Sequence, residues 1–363
     1  MRIAVIGLRG FPGVQGGVEM HCEHIYTRMP SDVQVRVYRR KPFLTPLSHS
    51  TPASNIEFID LPSTRIKGLE AVLHTLLSCL HIILHRPDVV HVHNIGPGMF
   101  VPLLKLFGLK VVLTYHSPNY EHDKWNGFAK WVLRTSEMLA VGFANRLIFV
   151  NKFQMQKFSR KVQNKSKYIV NGVDELTPTS DTSFLQKHNI EPGKYLLGVA
   201  RITPEKGFEY LVQAANRLDW VKQVVIAGAS DHDLEYLEKL KSLDTNNKVI
   251  FTGFASGEDL RQLYSHAAMY VLSSVTEGFP LVLLEAMSYT LPIVATDIPA
   301  THLVHLPQEC YVEPGDVESL ATGITRVAKT AQNGARPRYD LSRFRWQNIA
   351  ESTLAVLRKA CNS

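Results

Sequence analysis

The stretch MYVLSSVTEGFPLVLLEAMSYTLPIVATD, residues 269–297, has the pattern of a strand, a loop, a helix and a second strand. The predicted strands, 269–272 and 293–295, are continuously apolar, and a predicted helix over 282–288 lies between them. Continuous apolar strands are typical of parallel sheets that helices cover on both faces. The stretch therefore predicts a βαβ unit of an α/β fold.

The same alternation runs through the whole chain. Further strands are predicted at 3–6, 34–37, 56–59, 89–93, 111–115, 147–150, 195–199, 224–227 and 249–251, and further helices at 18–29, 128–144, 208–218, 234–240, 259–266 and 346–359. Since 363 residues exceed one ordinary core, we predict two doubly wound, Rossmann-like domains facing a central cleft. Residues 1–170, with the helix 346–363 packing back on them, form the first domain, and residues 171–345 form the second.

The composition is that of a soluble globular protein, with 45% hydrophobic and 20% charged residues. The N-terminal apolar run is too short for a signal-peptide core. The most apolar helix candidate, 71–84, is shorter than the roughly 20 residues that span a bilayer. We therefore expect a cytoplasmic protein, either soluble or peripheral on the cytoplasmic face of the inner membrane. The four cysteines lack C-x-x-C spacing, so neither disulfides nor a zinc site are expected from them.

The charge is uneven along the chain. Residues 1–175 hold 22 Lys and Arg against 12 Asp and Glu, a net charge of +10, whereas residues 176–363 hold 18 against 21, a net charge of −3. A basic half favours an anionic partner, although it also keeps a protein soluble. The segment DKWNGFAKWVLR, residues 123–134, predicts a helix that either contacts an anionic membrane or packs on the sheet. No nucleic-acid-binding motif is present, so no nucleic acid partner is expected.

Three side chains lie in loops that follow predicted strands, where ligands of parallel sheets bind. His116 follows the strand 111–115 and either donates to a substrate or simply ends the strand. Arg201 and Lys206 follow the strand 195–199, and arginine's fork and lysine's point charge suit a diphosphate. The alternative is a pair of solvated surface charges.

The beginning of the helix near residue 281 offers groups for an anion. Pro280 suits the first helical position, and Gly278 allows an unusual backbone turn. Exposed N–H groups of Phe279 and Leu281 are expected to receive an anion or a sugar oxygen.

Two carboxylates flank this helix start: Glu277 precedes the helix and Glu285 lies on it. A carboxylate accepts hydrogen bonds from vicinal hydroxyl groups. Carboxylates on either side of a phosphate-binding helix end suit a ligand with hydroxyls on both sides of a diphosphate, which is the chemistry of a nucleotide-sugar.

The stretch 277–285 resembles the E-x7-E signature of the retaining glycosyltransferases of family 4, which have the GT-B fold. Other segments that resemble the family follow in its order along nearly the whole chain, among them DVVHVHNIGPGMF, NGVD, GVARITPEKG, VIAG and VIFTGFAS. The N-terminal IGLRGFPGVQGGVEMHCEHIY resembles the bacterial polysaccharide and O-antigen subgroup, including rhamnosyltransferase-like members. Its five glycines precede a helix, as in a ligand-binding loop or a tight turn.

The resemblance implies a retaining hexosyltransferase. It would move a sugar from a nucleotide-diphosphate-sugar, with a UDP-sugar as the first expectation, to a lipid-linked glycan in polysaccharide, O-antigen or lipopolysaccharide biosynthesis. It would need no metal and no cofactor. The implied catalytic residues are Glu277, His116, Arg201 and Lys206, and the implied donor-binding residues are Gly16, Gly17, Arg201, Lys206, Gly278, Phe279, Leu281 and Glu285.

The roles that the resemblance implies differ from residue to residue. Glu277 would bind donor-sugar hydroxyls and Glu285 the ribose, while the two cations would stabilise the leaving diphosphate. Gly16 and Gly17 would let the N-terminal loop touch donor and acceptor, and His116 would lie beside the reacting sugar.

Two other functions stay open. A nucleotide-sugar epimerase of the same fold would need a different set of carboxylates and histidines, which the sequence does not offer. A non-catalytic, nucleotide-sugar-binding subunit would be expected to lack Arg201, Lys206 or Glu277, and all three are present.

Two segments imitate metal sites. DHD, residues 231–233, has the D-x-D pattern, but aspartate is also a natural helix cap there. His91 and His93 alternate along one predicted strand and so share a face, but two histidines are too few for zinc. We therefore predict no metal site.

Overall fold

The computed structural model describes the chain except residues 15, 51–52, 67, 119, 121–125, 175, 231–233, 332–335 and 363 and the side chain of residue 49. The chain forms two compact units. Unit 1 consists of Met1–Gly172 and Phe344–Ser363, and unit 2 consists of Val173–Arg343. Among the described residues, no helix combines the length and the apolar character needed to cross a membrane.

Each unit contains one sheet whose neighbouring strands all run parallel. The strands of unit 1 are β1 (Arg2–Ile6), β2 (Gln34–Arg40), β3 (Ile56–Leu61), β4 (Val89–His93), β5 (Val111–Tyr115), β6 (Arg146–Phe149) and β7 (Ser166–Tyr168). The strands of unit 2 are β8 (Tyr195–Val199), β9 (Gln223–Ala227), β10 (Val249–Gly253), β11 (Met269–Leu272), β12 (Ile293–Thr296) and β13 (Tyr311–Val312).

Helices connect most of these strands. They are α1 (Gly17–Tyr26), α2 (Leu69–His85), α3 (Val101–Leu106), α4 (Gly127–Phe143), α5 (Lys152–Gln156), α6 (Arg160–Asn164), α7 (Ser183–Lys187), α8 (Phe208–Asn216), α9 (Leu234–Leu243), α10 (Gly257–His266), α11 (Leu281–Ser288), α12 (Val317–Ala331) and α13 (Trp346–Cys361). The prediction of two parallel-sheet, Rossmann-like domains is confirmed.

Within unit 1, helices α2, α3 and α4 share one apolar core with the strands; Cys79, Leu104 and Ala140 are fully buried there. The C-terminal helix α13 packs on α1, where the Trp346 and His24 rings stack with centroids 4.8 Å apart. Helix α1 ends at Tyr26, three residues before the end of the predicted helix 18–29. Met29 precedes Pro30, and the residue before a proline disfavours the helical conformation.

Candidate functional site

The sheet of unit 2 reverses its growth between β8 and β11. Its strand order is β10-β9-β8-β11-β12-β13, and Met269 of β11 pairs with Leu196 of β8. Ligands of open parallel sheets bind beyond the carboxyl ends of the strands at such a switch point. The loops after β8 and β11 therefore define the candidate site in this unit.

The loop after β8 carries Lys206 and is held against the loop after β11. Gly207 follows in the left-handed conformation, with φ 61°. A Cβ atom on Gly207 would lie 2.3 Å from the Ser273 carbonyl oxygen, so the close approach of the two loops requires glycine. The Ser273 hydroxyl donates to the Lys206 carbonyl at 3.0 Å and adds a second tie between the loops.

An ion pair joins the same two loops. Lys206 Nζ lies 2.7 Å from Glu277 Oε1, and the Ser274 hydroxyl donates to that oxygen at 2.7 Å. The two charged side chains are only 17% and 10% exposed, so water screens the pair less than it screens a surface pair. The structure thus brings together the predicted diphosphate cation and the predicted sugar carboxylate.

Arg201 lies in the loop after β8 and is half-buried. It forms no ion pair with any residue in the part of the chain that the structure describes. The ammonium group of Lys206, by contrast, already pairs with the Glu277 carboxylate. Of the two predicted diphosphate ligands, Arg201 is therefore the more available for binding a phosphate.

The start of α11 differs from the prediction. The helix begins at Leu281, and Pro280 is its N-cap, with φ −82° and ψ 86°, rather than its first residue. The Leu281 N–H donates to the Phe279 carbonyl at 3.1 Å, so this predicted anion donor is already engaged. These values are close to an inverse γ-turn, which proline's restricted φ favours. Gly278 is not among the described glycines with positive φ, so the backbone there does not use the left-handed region that glycine permits.

Glu285 extends from α11 toward two tyrosines that sequence reasoning missed. The Tyr264 hydroxyl donates to Glu285 Oε2 at 2.8 Å. Burial raises the pKa of Glu285, and the Tyr264 hydrogen bond offsets part of that rise.

Tyr270 connects the two glutamates electrostatically. Burial raises its pKa well above the usual range, and the Glu285 and Glu277 carboxylates raise it further, so both lie near this phenol. Its buried hydroxyl makes no hydrogen bond of good geometry with a described residue, but the Val199 backbone lies close enough to offset part of the rise in its pKa. Tyr270 is the second residue of β11, the strand that precedes the loop with Glu277. This position was the only feature of the sequence that indicated that Tyr270 lies near the site.

Unit 1 has its own switch point, between β1 and β4. The glycine loop follows β1; Gly16 is the N-cap of α1, with φ 152°, and Gly17 is the first helical residue. A Cβ atom on Gly16 would lie 2.0 Å from Glu19 Oε2. Glu19 in turn accepts a hydrogen bond from the Arg9 N–H at 3.0 Å. The loop is therefore closed by a carboxylate from the first turn of α1, where the helix dipole favours it.

His116 follows β5 and is buried, with only 7% exposure, rather than standing open at the strand end. One of its ring nitrogens, Nε2, lies 3.1 Å from His93 Nδ1. His91 and His93 share a face, as predicted, because both contact the Tyr26 hydroxyl at 2.7 Å. Burial lowers the pKa of His116 well below its usual range, with His21 and His91 lowering it further.

Two predicted features lie outside the described residues. They are the D-x-D imitation at 231–233 and the first part of the basic and aromatic segment, including Lys124 and Trp125.

Two family models match the chain. The model for group 1 glycosyl transferases matches residues 180–339, and the model for Glycosyltransferase Family 4 matches residues 15–175. An uncharacterized glycosyltransferase of Methanocaldococcus jannaschii is 31% identical, over 99% of this chain and 98% of the relative. The O-antigen chain mannosyltransferase RfbU of Salmonella typhimurium is 27% identical over 47% of this chain and 48% of its own length.

Solved structures agree with these matches at the level of the fold. Sucrose-phosphate synthase from Thermosynechococcus elongatus has a TM-score of 0.83 at 22% identity, covering 99% of this chain and 98% of that one. HepE of Anabaena in complex with UDP-glucose has a TM-score of 0.74 at 18% identity, covering 100% of this chain and 98% of that one. The chain belongs to the glycosyltransferases of group 1 and family 4, with the GT-B fold.

Proposed function

We propose that this glycosyltransferase transfers a sugar, with retention of anomeric configuration and without a metal, from a UDP-sugar to a lipid-linked glycan. The observation that carries this proposal is the convergence of Arg201, Lys206 and Glu277 on the switch point between β8 and β11. Cations suit the diphosphate, and the carboxylates of Glu277 and Glu285 suit hydroxyls on either side of it. The pathway would be cell-surface polysaccharide or O-antigen assembly, on the cytoplasmic face of the inner membrane.

The chemical work assigned to the site is electrostatic. As the glycosidic bond to the donor breaks, negative charge grows on the leaving diphosphate, and Arg201 and Lys206 stabilise it. The acceptor hydroxyl attacks from the face that the diphosphate leaves, and the diphosphate takes the hydroxyl proton. This course retains configuration without a protein nucleophile. Positive side chains replace the divalent cation that would otherwise neutralise the diphosphate.

Calorimetric titration with UDP, GDP and dTDP tests the donor site. We expect micromolar binding of one nucleotide, with UDP first, unchanged by EDTA. Arg201→Leu should weaken that binding roughly 10- to 100-fold, the loss expected for a charge-assisted hydrogen bond. The matched control is Arg217→Leu, in the same unit, because Arg217 lies in an exposed pair with Glu318. Equal effects of the two substitutions, or binding that EDTA abolishes, would contradict the proposed donor site.

A lipid-linked acceptor is supported by helix α2, whose buried face carries polar side chains and whose exposed face carries apolar ones. α2 buries His74, Ser78 and Cys79, whereas its exposed face is apolar. The exposed residues on that face are Leu69, Leu73, Leu76, Leu80 and Leu84. Leu84 is 80% exposed. An exposed apolar stripe of this length is typical of helices that lie in a membrane interface.

Helix α4 adds a second exposed apolar surface to unit 1. Phe128 and Trp131 are exposed and stack with centroids 6.1 Å apart, and Arg134 is exposed on the same helix. Helix α3 packs against both α2 and α4. Since residues 1–175 carry a net charge of +10, from 22 positive and 12 negative side chains, an anionic bilayer is the proposed contact.

The double variant Leu73→Gln/Leu80→Gln tests this contact. Both side chains are exposed, so folding should be unaffected, while binding to vesicles containing phosphatidylglycerol should fall about 10- to 100-fold through lost apolar burial. Co-sedimentation measures the loss. Leu234→Gln, which changes an exposed leucine in unit 2, is the control. Vesicle binding that is equally strong in all three proteins would exclude α2 as the membrane contact.

Turnover experiments separate the alternatives. Transfer by the purified chain from a UDP-hexose or, for a rhamnosyltransferase-like activity, a dTDP-deoxyhexose would exclude a non-catalytic subunit. Epimerised nucleotide-sugar formed without any acceptor would identify the epimerase instead.

A further inference from the structure

Three histidines from three elements meet at the carboxyl edge of the unit 1 sheet. His21 lies on α1, His93 ends β4 and His116 follows β5. Each offers one ring nitrogen, and the three nitrogens lie within 4.8 Å of one another. His93 Nδ1 and His116 Nε2 are only 3.1 Å apart. Ligand nitrogens about 2.0–2.1 Å from a tetrahedral zinc ion are separated by about 3.3 Å, so the spacing of His93 and His116 already fits, and His21 would have to move closer when the metal binds.

Neighbouring side chains favour the ligand form of two of the rings, His21 and His93. The contact between His93 Nδ1 and His116 Nε2 is a hydrogen bond, so a metal ion would displace the proton that these two nitrogens share. The Asn171 Oδ1 atom lies 2.7 Å from His21 Nδ1, so that nitrogen donates and His21 Nε2 keeps its lone pair. The Tyr26 hydroxyl lies 2.7 Å from His93 Nε2, where it can take that N–H and leave Nδ1 as a ligand. Metal-binding histidines almost always donate their other ring N–H in this way.

We propose that His21, His93 and His116 form a binding site for a transition-metal ion of the zinc type, with the fourth position open to water or a small ligand. Imidazole is a preferred ligand of zinc, and three histidines with one open position form an established zinc geometry. His91 is not a ligand, because its two ring nitrogens contact the Tyr26 and Thr114 hydroxyls at 2.7 Å.

All three histidines are buried in unit 1. Burial lowers the pKa of His21 to about 4, and it also lowers the pKa of His93 and His116 well below the usual range. The site lies wholly within unit 1 and shares His116 with the catalytic residues that the family resemblance implies. The nucleotide titration and the Arg201→Leu variant use none of its residues, so the absence of metal binding would leave that test of the donor site unchanged.

Titration of the full chain with Zn²⁺ tests the site. We expect one tight site per chain and, with Co²⁺, the visible absorption of a tetrahedral ion. His21→Gln should abolish tight binding. Asn171→Leu, which removes only the partner of the ligand, should weaken binding by about 10- to 100-fold. The control is His85→Gln, because His81 and His85 stack 3.9 Å apart on α2 and form a competing histidine pair in which His85 is exposed. This control should keep the tight site.

Trp346 provides a measurement that needs no substitution of a buried ligand. Its ring lies 5.9 Å from the His21 ring, so Cu²⁺ in the site should quench its fluorescence. Trp346→Phe should remove most of that quenching. The proposal would be overturned by the absence of tight binding, by binding that His85→Gln abolishes while His21→Gln does not, or by Cu²⁺ quenching that is the same with and without Trp346.

Discussion

Lys206→Met is expected to lower kcat for sugar transfer by about 100- to 1,000-fold, the usual loss when one preorganised group that stabilises developing charge is removed. Methionine keeps most of the apolar stem but removes the ammonium group that lies 2.7 Å from Glu277. The leaving diphosphate would then gain negative charge beside Arg201 alone. Steady-state kinetics with the nucleotide-sugar identified by titration measure the effect.

The ion pair itself supplies the decisive control. Either single substitution, Lys206→Met or Glu277→Gln, leaves one charge largely buried without its partner, and we expect the free energy of unfolding to fall by about 1–3 kcal/mol. The double variant removes both charges and should recover most of that stability. It should not recover transfer, because each side chain has its own role toward the donor.

Urea unfolding and kinetics on the same four proteins separate structure from catalysis. Recovery of kcat in the double variant would mean that the two residues matter only to each other, and the catalytic assignment would be wrong. Lys194→Met serves as the matched control, since Lys194 pairs with Glu191 at 2.8 Å on an exposed surface. Such pairs contribute about 0–1 kcal/mol, so neither stability nor transfer should change much.

The fold class could be predicted because its signal is local. Buried parallel strands are apolar without interruption, so β4, β5, β8 and β11 were each recognisable, with the bounds that the structure has. Two strands were missed because β7 and β13 have only three and two residues, and β7 reads Ser-Lys-Tyr. The helix α12 was also missed, although Asp316 accepts hydrogen bonds from the backbone of its first turn, a recognisable start signal.

The candidate site was only partly predictable because its contacts are long-range. Lys206 and Glu277 are 71 positions apart, and only the adjacency of β8 and β11 brings them together. The sequence places each after a strand but does not say which strands are neighbours. The same limit applies to the histidines. The strand pattern relates His93 only to His91, whereas the nitrogens of His21 on α1 and of His116 after β5 lie within 4.8 Å of the His93 nitrogen.

Gly207→Ala is expected to destabilise unit 2 and to disable the site together. Gly207 has φ 61°, and a Cβ atom there would lie 2.3 Å from the Ser273 carbonyl, a backbone atom that cannot rotate away. The left-handed conformation alone costs an alanine about 1–2 kcal/mol. The clash adds to this cost, because it forces apart the two loops that carry Lys206 and Glu277. A displacement of about 1 Å in a catalytic group can cost roughly 100-fold in rate.

Gly193→Ala isolates the conformational part of this cost. Gly193 is in the same unit and has φ 74°, but a Cβ atom there would meet nothing within 4 Å. Both variants therefore carry the strain of positive φ, and only Gly207→Ala carries the clash. We expect the free energy of unfolding to fall by about 2 kcal/mol or more beyond the Gly193→Ala value, with transfer lost only in Gly207→Ala. Equal unfolding curves and equal kcat values for the two variants would mean that the loops are not held together at Gly207, and the close approach of Lys206 and Glu277 would then lose its structural basis.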